Sequence, residues 1–464
     1  MKDTQNQNTK VTRRRFVGTA ASAAAAFHFV PSSVLGQEGK PSVNNEFRVG
    51  CVGVGGMQGG NDVRSVSGAG AKIVALCDVD SKHLGAQKKK LQNKGAKFYS
   101  DYREMLDKEH KNLDGITITI PDHMHASVAY AAMQRGLNVY CQKPLTQTPW
   151  EARLLTKAAE KYKVITQMGN QGYSSEGCLR MVETIWSGSL GEITEVHCQH
   201  GPGFAVGVKE WKEHPVPETL NWDLWLGRAR QRPYMKGIHP HQWRGFLEYG
   251  SRMVGDWGVH HLGSAYWALN LKNPISVECL EAKGANPVTY PFYTARIDFA
   301  ERPHPNDPSK KLPPCSLYWR EGMSKIHDNP PGGLTKDDLK GDTFVIGTKM
   351  SLAMRGRGNS GGLVPKDKAK DIPNPPKVIE RPIGRGHFGN WVESCRAGKQ
   401  ALSNFGVAGP YTETLLMASI SSRFPGQKLM WDSKNVRFTN SDEANKLVKP
   451  NCRKGWELPE LKDV

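Results

Sequence analysis

Residues 47–66 read FRVGCVGVGGMQGGNDVRSV, and this stretch decides the predicted fold class. A β-rich apolar run, Phe47 to Val54, is followed by a turn crowded with glycines and then by a helix-like segment. Glycines at a strand-to-helix turn let the backbone approach a pyrophosphate, and the helix N-terminus offers N–H groups and the positive end of its dipole. The strict G-x-G-x-x-G pattern fails, because Gln58 holds the third glycine position and Gly59 comes one residue later.

The next apolar run, AKIVALCDVD, ends in an acid that strengthens the nucleotide-binding prediction. Asp78 lies 23 residues after Gly55, close to the spacing of about 20 that is typical of a Rossmann unit. An acid at the end of the second strand binds the ribose hydroxyls, and its charge repels a 2′-phosphate. The sequence therefore favours NAD over NADP. The alternative is a strand-end acid that only caps a turn.

Residues 113–145 supply a further strand, helix and strand. The predicted strands are 115–120 and 137–141, and the predicted helix is 126–135. Such a succession indicates a parallel, right-handed crossover. Pro121 ends the first strand at its carboxyl edge, which is where ligands bind in doubly wound sheets.

The combined motifs resemble the Gfo/Idh/MocA oxidoreductases over roughly residues 47 to 435. The family pattern TPxxxH…G.HVxxEKP is similar to IPDHMH at 120–125 and NVYCQKP at 138–144. The family glutamate is Gln142 here, whereas the family lysine is retained as Lys143. The resemblance implies an α/β fold with two parts: an N-terminal Rossmann domain with a doubly wound parallel sheet, and a C-terminal α/β domain with an open, mainly antiparallel sheet.

The family resemblance and the N-terminal sequence together predict the domain organisation. It comprises a twin-arginine signal peptide (1–36), a linker (37–46), an NAD-binding Rossmann domain (47–168), a substrate-binding and oligomerisation domain whose last helices return to the Rossmann domain (169–435), and a C-terminal tail (436–464). The open sheet implies a homo-oligomer. Pro-, Gly- and Lys-rich stretches at 301–314, 327–341 and 356–377 predict long loops between its strands.

The N-terminal sequence predicts export. TRRRFV at 12–17 resembles the twin-arginine motif, and the weakly apolar run 16–30 is short of the roughly 20 residues that span a bilayer. We therefore expect the twin-arginine machinery as a partner and a periplasmic location. An uncleaved membrane anchor and a chance basic N-terminus remain open. Because this route carries folded proteins, it favours a tightly bound cofactor acquired before export.

Charge and cysteine content exclude some other classes. The net charge is +18, but the basic residues are interleaved with acids along the chain, so no nucleic-acid partner is predicted. Nine cysteines cannot all pair, and no C-x-x-C occurs, which argues against a zinc ribbon and for buried, reduced thiols.

The stretch GDWGVHHLG at 255–263 contains the candidate catalytic residues. Asp256 and His260 lie one helical turn apart, so a carboxylate could orient an imidazole for proton transfer. The family motif D-x-G-x-H-x-x-D implies that His260 is the acid–base, with Asp256 and Lys143 beside it, although the final acid is Gly263 here. There are two alternatives: a metal site formed by Asp256, His260 and His261, and a structural Asp cap. The acid–base interpretation is preferred to both, so no metal is predicted.

The predicted site has three groups of residues. The catalytic group is Lys143, Asp256 and His260. The cofactor group is Gly53, Gly55, Gly56, Met57, Gln58, Asp78, Pro121, His123, His125, Gln142, Lys143 and Gln171. The substrate group is Trp243, Arg244, Tyr249, Trp257 and His261, because aromatic faces and planar donors suit a sugar.

The leading prediction is an NAD-dependent oxidoreductase that moves a hydride between a sugar or polyol carbinol and a tightly bound nicotinamide. One alternative is a glycosidase that works by transient oxidation and elimination at the same NAD. Another is a non-catalytic sugar- or protein-binding module, which the departures at Gln142 and Gly263 motivate.

Overall fold

A computed structural model describes residues 46–91, 95–323 and 325–464 of the chain. The predicted signal peptide and all but the last residue of the predicted linker lie outside the described residues. From Phe47 to Val464 the chain forms one contact unit. Among the described residues, no helix combines the length and the apolar character needed to cross a membrane.

The N-terminal half forms a six-stranded parallel sheet in the order β3-β2-β1-β4-β5-β6. Its strands are almost wholly buried and apolar, because helices cover both faces of a parallel sheet. The strands are β1 (Phe47–Val52), β2 (Ala71–Cys77), β3 (Lys97–Tyr99), β4 (Gly115–Ile118), β5 (Asn138–Cys141) and β6 (Thr166–Met168).

Five helices connect these strands and confirm the predicted Rossmann architecture. They are α1 (Gly59–Gly68), α2 (Ser81–Leu91), α3 (Tyr102–Glu109), α4 (Asp122–Gln134) and α5 (Pro149–Tyr162). Helix α5 opens with a capping box in which Thr148 and Glu151 bond to each other's backbone N–H. Helix α4 begins four residues earlier than the sequence predicts, because Pro121 has the extended conformation of a helix N-cap.

The second half forms a nine-stranded sheet in the order β15-β14-β13-β7-β12-β9-β8-β16-β17. All neighbours in it are antiparallel except β7 and β12, so the predicted open, mainly antiparallel sheet is confirmed. Its strands are β7 (Ile193–His200), β8 (Ser276–Lys283), β9 (Phe292–Phe299), β12 (Cys315–Glu321), β13 (Thr343–Gly347), β14 (Ser351–Arg355), β15 (Ser360–Val364), β16 (Lys428–Asp432) and β17 (Arg437–Phe438).

Two stretches predicted as loops contain strands. Residues 301–314 form a separate hairpin of β10 (Arg302–His304) and β11 (Asp307–Leu312). Residues 356–377 include β15, which pairs with β14 at one edge of the nine-stranded sheet. Both stretches lack an alternating apolar pattern because most of their residues are exposed to solvent, so periodicity could not identify them.

The second half contributes eight further helices. They are α6 (Glu176–Trp186), α7 (Trp222–Leu226), α8 (Val259–His261), α9 (Gly263–Ala268), α10 (Lys366–Ala369), α11 (Gly386–Ala397), α12 (Phe405–Ser421) and α13 (Asp442–Asn445).

Helices α11 and α12 return to the N-terminal sheet. Trp391 of α11 is fully buried and packs edge-on against Phe47 of β1. Helix α12 lies against α5, where Arg153 and Glu413 form an ion pair with a 2.9 Å N–O distance. The core of the N-terminal sheet is therefore completed by residues from the end of the chain.

All nine cysteines are unpaired in the described part of the chain, and seven of them are buried. Burial raises the pKa of these thiols, for example that of Cys51 to about 12, so they stay protonated. This agrees with the prediction of buried, reduced thiols.

Candidate functional site

A cleft of about 460 Å³ follows the carboxyl ends of the parallel strands. One wall is the glycine-rich turn after β1 and the residues that follow β2, β3, β4 and β5. The opposite wall comes from the second half of the chain. Its residues include Phe204, His239, Pro240, His241, Trp243, Arg244, Asp256, Trp257, His260, Arg357 and Trp456.

The glycines of the turn after β1 are required by close contacts. Gly53 has a φ of +79°, and a Cβ there would lie 2.1 Å from the carbonyl oxygen of Thr119. A Cβ on Gly55 would lie 2.0 Å from the ring of His83, and a Cβ on Gly59 would lie 2.7 Å from the Gly53 carbonyl oxygen. This side-chain-free surface fits a dinucleotide backbone that must approach the main chain closely.

Asp78 lies at the end of β2 and lines the cleft, as predicted for a ribose-binding acid. Its Oδ2 also accepts hydrogen bonds from the backbone N–H groups of Val54 (2.9 Å) and Gly55 (3.1 Å), and its Oδ1 accepts one from Asp80 N (2.9 Å). The carboxylate therefore holds the glycine-rich turn in place whether or not it also binds a ribose.

Gln142, which stands in place of the family glutamate, bonds to a buried carboxylate that sequence reasoning missed. Gln142 Nε2 donates to Asp62 Oδ2 at 2.7 Å, Thr119 Oγ1 donates to the same oxygen at 2.8 Å, and Gln58 Nε2 donates to Asp62 Oδ1 at 2.8 Å. Burial raises the pKa of Asp62. A glutamate at 142 would set two carboxylates against each other, so the amide suits this chain.

Lys143 and Asp256 meet at the centre of the cleft. Lys143 Nζ donates to Asp256 Oδ1 at 2.5 Å, and Arg244 Nε donates to the same oxygen at 3.1 Å. Burial alone would raise the pKa of Asp256, but these two cations lower it to about 2. Asp256 is therefore ionised, and one carboxylate is shared by two positive groups.

The expected contact between Asp256 and His260 is not formed. Val254–Gly258 is a π-helical turn, which changes the register of residues four apart, and Asp256 is turned toward its two cations. His260 lines the cleft, and its Nδ1 is buried without a hydrogen-bond partner among the described residues. Nε2 is therefore the nitrogen available to a molecule in the cleft.

Burial also determines the protonation of His260. It lowers the pKa of His260 well below its usual value, and the positive charges of Lys143 and Arg357 lower it further. The ring is therefore neutral at pH 7 and can accept a proton at Nε2.

Two predicted cofactor residues, His123 and His125, do not reach the cleft. Both rings are fully buried in the first turn of α4. His125 Nδ1 lies 2.9 Å from the carbonyl oxygen of Pro144, and its Nε2 lies 2.8 Å from that of Ile120. His123 Nε2 lies 3.1 Å from the Trp225 carbonyl oxygen. These contacts fix main-chain segments, and the structure does not support a direct cofactor contact.

Two predicted substrate residues also lie behind the cleft. Tyr249 is fully buried, with its ring centroid 5.1 Å from that of His123. His261 stacks on Trp257 at a centroid distance of 5.4 Å, and its Nδ1 lies 3.7 Å from Asp342 Oδ2. Neither side chain is free to contact a substrate.

The remaining predicted residues line the cleft together. They are Gly53, Gly55, Gly56, Met57, Gln58, Asp78, Pro121, Gln142, Lys143, Gln171, Trp243, Arg244, Asp256, Trp257 and His260.

Arg357 is a cleft residue that sequence reasoning missed. It lies in the hairpin between β14 and β15, with its guanidinium 5.9 Å from the centroid of the Trp257 ring. None of the described residues gives it a hydrogen bond or an ion pair. The hairpin packs closely, because a Cβ on Gly358 would lie 2.7 Å from the carbonyl oxygen of His261. Three cations, Lys143, Arg244 and Arg357, therefore line this end of the cleft together with the carboxylate of Asp256.

The metal alternative at residues 256–261 has no geometric support. Asp256, His260 and His261 do not bring their ligand atoms within 4.8 Å of one another. Asp80, His83 and His239 do so near Asp78, but there His239 Nε2 lies 3.1 Å from Asp80 Oδ2 in an ordinary hydrogen bond.

Trp456 is a further cleft residue that the sequence did not reveal. It belongs to the segment predicted as a tail, yet it lines the cleft beside Asp101 and Tyr102. No local motif marks it, since its position depends on contacts with residues more than 200 positions away.

Comparisons with known protein families cover both halves of the chain. Residues 47–170 match the oxidoreductase family with an NAD-binding Rossmann fold, GFO_IDH_MocA. Residues 182–289 match the C-terminal α/β domain of that oxidoreductase family. The two matches together span half of the chain.

Curated relatives include inositol 2-dehydrogenase of Salmonella typhimurium, which is 30% identical over 177 residues, covering 37% of this chain and 51% of the relative. The rhizopine catabolism protein MocA of Rhizobium meliloti is 31% identical over 153 residues, covering 33% and 46%. The chain thus spans about half the length of the curated relatives it matches.

Solved structures share the fold over most of the chain. Aldose–aldose oxidoreductase from Caulobacter crescentus has a TM-score of 0.56 at 13% identity and covers 83% of this chain and 100% of its own. A levoglucosan dehydrogenase in complex with NADH and levoglucosan has a TM-score of 0.52 at 14% identity, with 83% and 99% coverage.

Proposed function

Because the chain belongs to the Gfo/Idh/MocA family of oxidoreductases, we propose that it moves a hydride between NAD and a carbinol carbon of a sugar or polyol. One observation carries the proposal: Lys143 and His260 line the same cleft as the glycine-rich turn and Asp78. The relatives named above act on an inositol or carry sugar-dehydrogenase names, which supports this substrate class.

The chain's own residues suit the proton transfer. A bound nicotinamide would supply the acceptor for the hydride and its electron pair. His260 takes the hydroxyl proton at Nε2, since its lowered pKa keeps the ring neutral. The Lys143 ammonium, held by Asp256, stabilises negative charge that develops on the substrate oxygen. The carbonyl product forms as the proton and hydride leave.

The positive charge at the substrate end of the cleft narrows the proposed class of substrate. Lys143 and Arg244 share Asp256, and Arg357 has no pairing partner among the described residues. A carboxylate on the substrate would pair with such a guanidinium through two hydrogen bonds. We therefore favour sugar acids, such as uronates and aldonates, over neutral sugars.

Export and cofactor retention belong to the proposal as well. A periplasm holds no pool of free NAD, so the dinucleotide would stay bound and be recycled by oxidation of one substrate and reduction of another. Replacement of Arg13 and Arg14 by Lys tests the export route, because the double variant should stay in the cytoplasm. We also propose a homo-oligomer that forms through the open face of the nine-stranded sheet.

The decisive experiment is to denature the purified protein and identify the released small molecule. We expect NAD or NADH, followed by absorbance changes at 340 nm on addition of sugars, polyols or sugar acids. Release of aryl groups from glycosides without net NADH would favour the glycosidase alternative. If the protein neither carries nor binds a dinucleotide, the oxidoreductase proposal fails and the binding-module alternative stands.

A further inference from the structure

The cleft has an end that the position of Asp78 identifies as the adenosine end. An acid at the carboxyl end of β2 faces the ribose of the adenosine half in Rossmann domains. The cleft continues from Asp78 to residues that follow β3 and to two side chains of helix α7. These residues are Val79, Ser100, Asp101, Tyr102, Leu224 and Trp225. They form a largely apolar pocket of the kind that a purine ring occupies.

Trp456 closes this end of the cleft. Two guanidinium groups lie over its indole, with the guanidinium carbons of Arg103 and Arg453 at 4.3 and 5.3 Å from the ring centroid. Arg103 is in turn fixed by Asp101, with 2.6 Å between Nη2 and Oδ2. The indole is half-buried and lines the cleft, so the surface that the two guanidinium groups leave uncovered meets the cleft.

Hydrogen bonds hold the segment that carries Trp456 in place on both sides of that residue. Arg453 donates from Nη1 to Asp223 Oδ1 at 2.6 Å and to Gln231 Oε1 at 2.8 Å, next to helix α7. Farther along, Lys157 Nζ and Lys161 Nζ of α5 donate to main-chain oxygens of Leu461 and Asp463, at 2.5 and 2.7 Å. The tail segment, residues 447–464, therefore crosses the adenosine end between two anchored points.

We propose that Trp456 binds the adenine ring of the dinucleotide and that the tail segment retains the dinucleotide between turnovers. The inference rests on the NAD binding of the proposed function. Indole surface that lines a cleft can pack against a purine, and a base held by such a contact leaves the cleft more slowly.

The test compares two halves of the same ligand on full-length variants. Titration calorimetry measures binding of ADP-ribose, which carries the adenine, and of nicotinamide mononucleotide, which lacks it. Trp456→Ala should weaken binding of ADP-ribose and NAD by about 5- to 150-fold, the range for loss of one base–aromatic contact. It should leave nicotinamide mononucleotide unchanged. Trp456→Phe should restore most of the affinity.

Lys454→Ala is the matched control, since Lys454 is exposed in the same segment and does not line the cleft. Stopped-flow displacement of NADH should show faster release from Trp456→Ala and not from the control. Unchanged NAD affinity and release rate in Trp456→Ala overturn the inference, as does an equal loss for both half-ligands. If the wild-type protein binds no dinucleotide at all, the proposed function fails instead. Thermal melting confirms that each variant is folded.

Discussion

Lys143 Nζ, from the end of β5, lies 2.5 Å from Oδ1 of Asp256 in the π-helical turn of the second half. This ion pair joins the two halves of the chain at the proposed reaction centre. It gives the lysine a fixed direction and keeps the carboxylate ionised. Asp256 therefore acts on Lys143 and Arg244, whereas the sequence predicted that it acts on His260.

Asp256→Asn tests this role. The amide removes the charge that holds Lys143, so we expect kcat to fall by roughly 100-fold, the scale for misplacement of a reacting group. NAD affinity should stay within about twofold of wild type, because Asp256 bonds to Lys143 and Arg244 and makes no hydrogen bond to the glycine-rich turn. Steady-state kinetics and NAD titration measure the two effects. A parallel loss of NAD binding or a collapse of the melting temperature would indicate a structural role only.

His260 should give the pH profile of kcat/KM an acid limb at an unusually low pH. The proposed base works in its neutral form, and its pKa lies well below the usual 6.5. Activity should therefore persist as the pH falls through 6.5 and decline only when the pH approaches the lowered pKa. The pH dependence of kcat/KM in the wild type measures this. An inflection near 6.5 that disappears in His260→Gln would contradict the predicted pKa.

His260→Ala should also lower turnover by roughly 100-fold or more. Lys143→Ala should act on the same step. The fold-loss of turnover in the double variant should therefore be smaller than the product of the two single fold-losses. His261→Ala is the matched control, because its ring stacks on Trp257 outside the cleft lining. If His261→Ala abolished turnover and His260→Ala did not, the proton acceptor would be misassigned.

Gln142→Glu should destabilise the protein. The new carboxylate would face the buried Asp62, now 2.7 Å from the amide nitrogen, at a cost of about 1–3 kcal/mol in free energy of unfolding. The loss should shrink as the pH falls and one of the two carboxyl groups becomes protonated. Asp62→Asn in the same chain should restore most of the stability. Chemical denaturation of the two single variants and the double variant gives the coupling energy, and additive effects would exclude a direct pair.

Arg357→Ala should separate charged from neutral substrates. The guanidinium would pair with a substrate carboxylate, so KM for a uronate or aldonate should rise by about 10-fold or more, the equivalent of one charge-assisted hydrogen bond. The KM of a neutral sugar should change little. Arg355→Ala is the control, since Arg355 is exposed at the end of β14 and outside the cleft. Equal effects on both substrate types would remove the argument for sugar acids.

Local patterns predicted the parts of the site that lie at strand ends. The glycine-rich turn, Asp78 and Lys143 follow buried apolar runs, and parallel topology brings such ends to one edge. Asp62 and Gln142 are 80 residues apart, so their pairing depends on the packed fold. The four-residue spacing of Asp256 and His260 predicted a contact that the π-helical turn removes.

The incorrect cofactor assignment of two histidines has a similar origin, because their environment depends on the packed fold. His123 and His125 occur where a cofactor ligand is expected. Helical geometry instead turns both rings into the core, where a ring nitrogen of each lies within hydrogen-bond distance of a main-chain carbonyl oxygen. Burial lowers the pKa of His125 to about 4, which suits a neutral, structural ring. A sequence does not distinguish a buried histidine from a cleft histidine when both follow a strand.

The return of helices α11 and α12 to the N-terminal sheet bears on the order of events during synthesis. Trp391 fills the core beside Phe47, and α12 covers α5. A nascent chain that has only emerged as far as residue 170 lacks these partners and exposes the apolar surface they would cover. We therefore expect the N-terminal sheet to reach its native packing only after translation has ended, so a ribosome-stalled fragment of this length should be digested rapidly by protease.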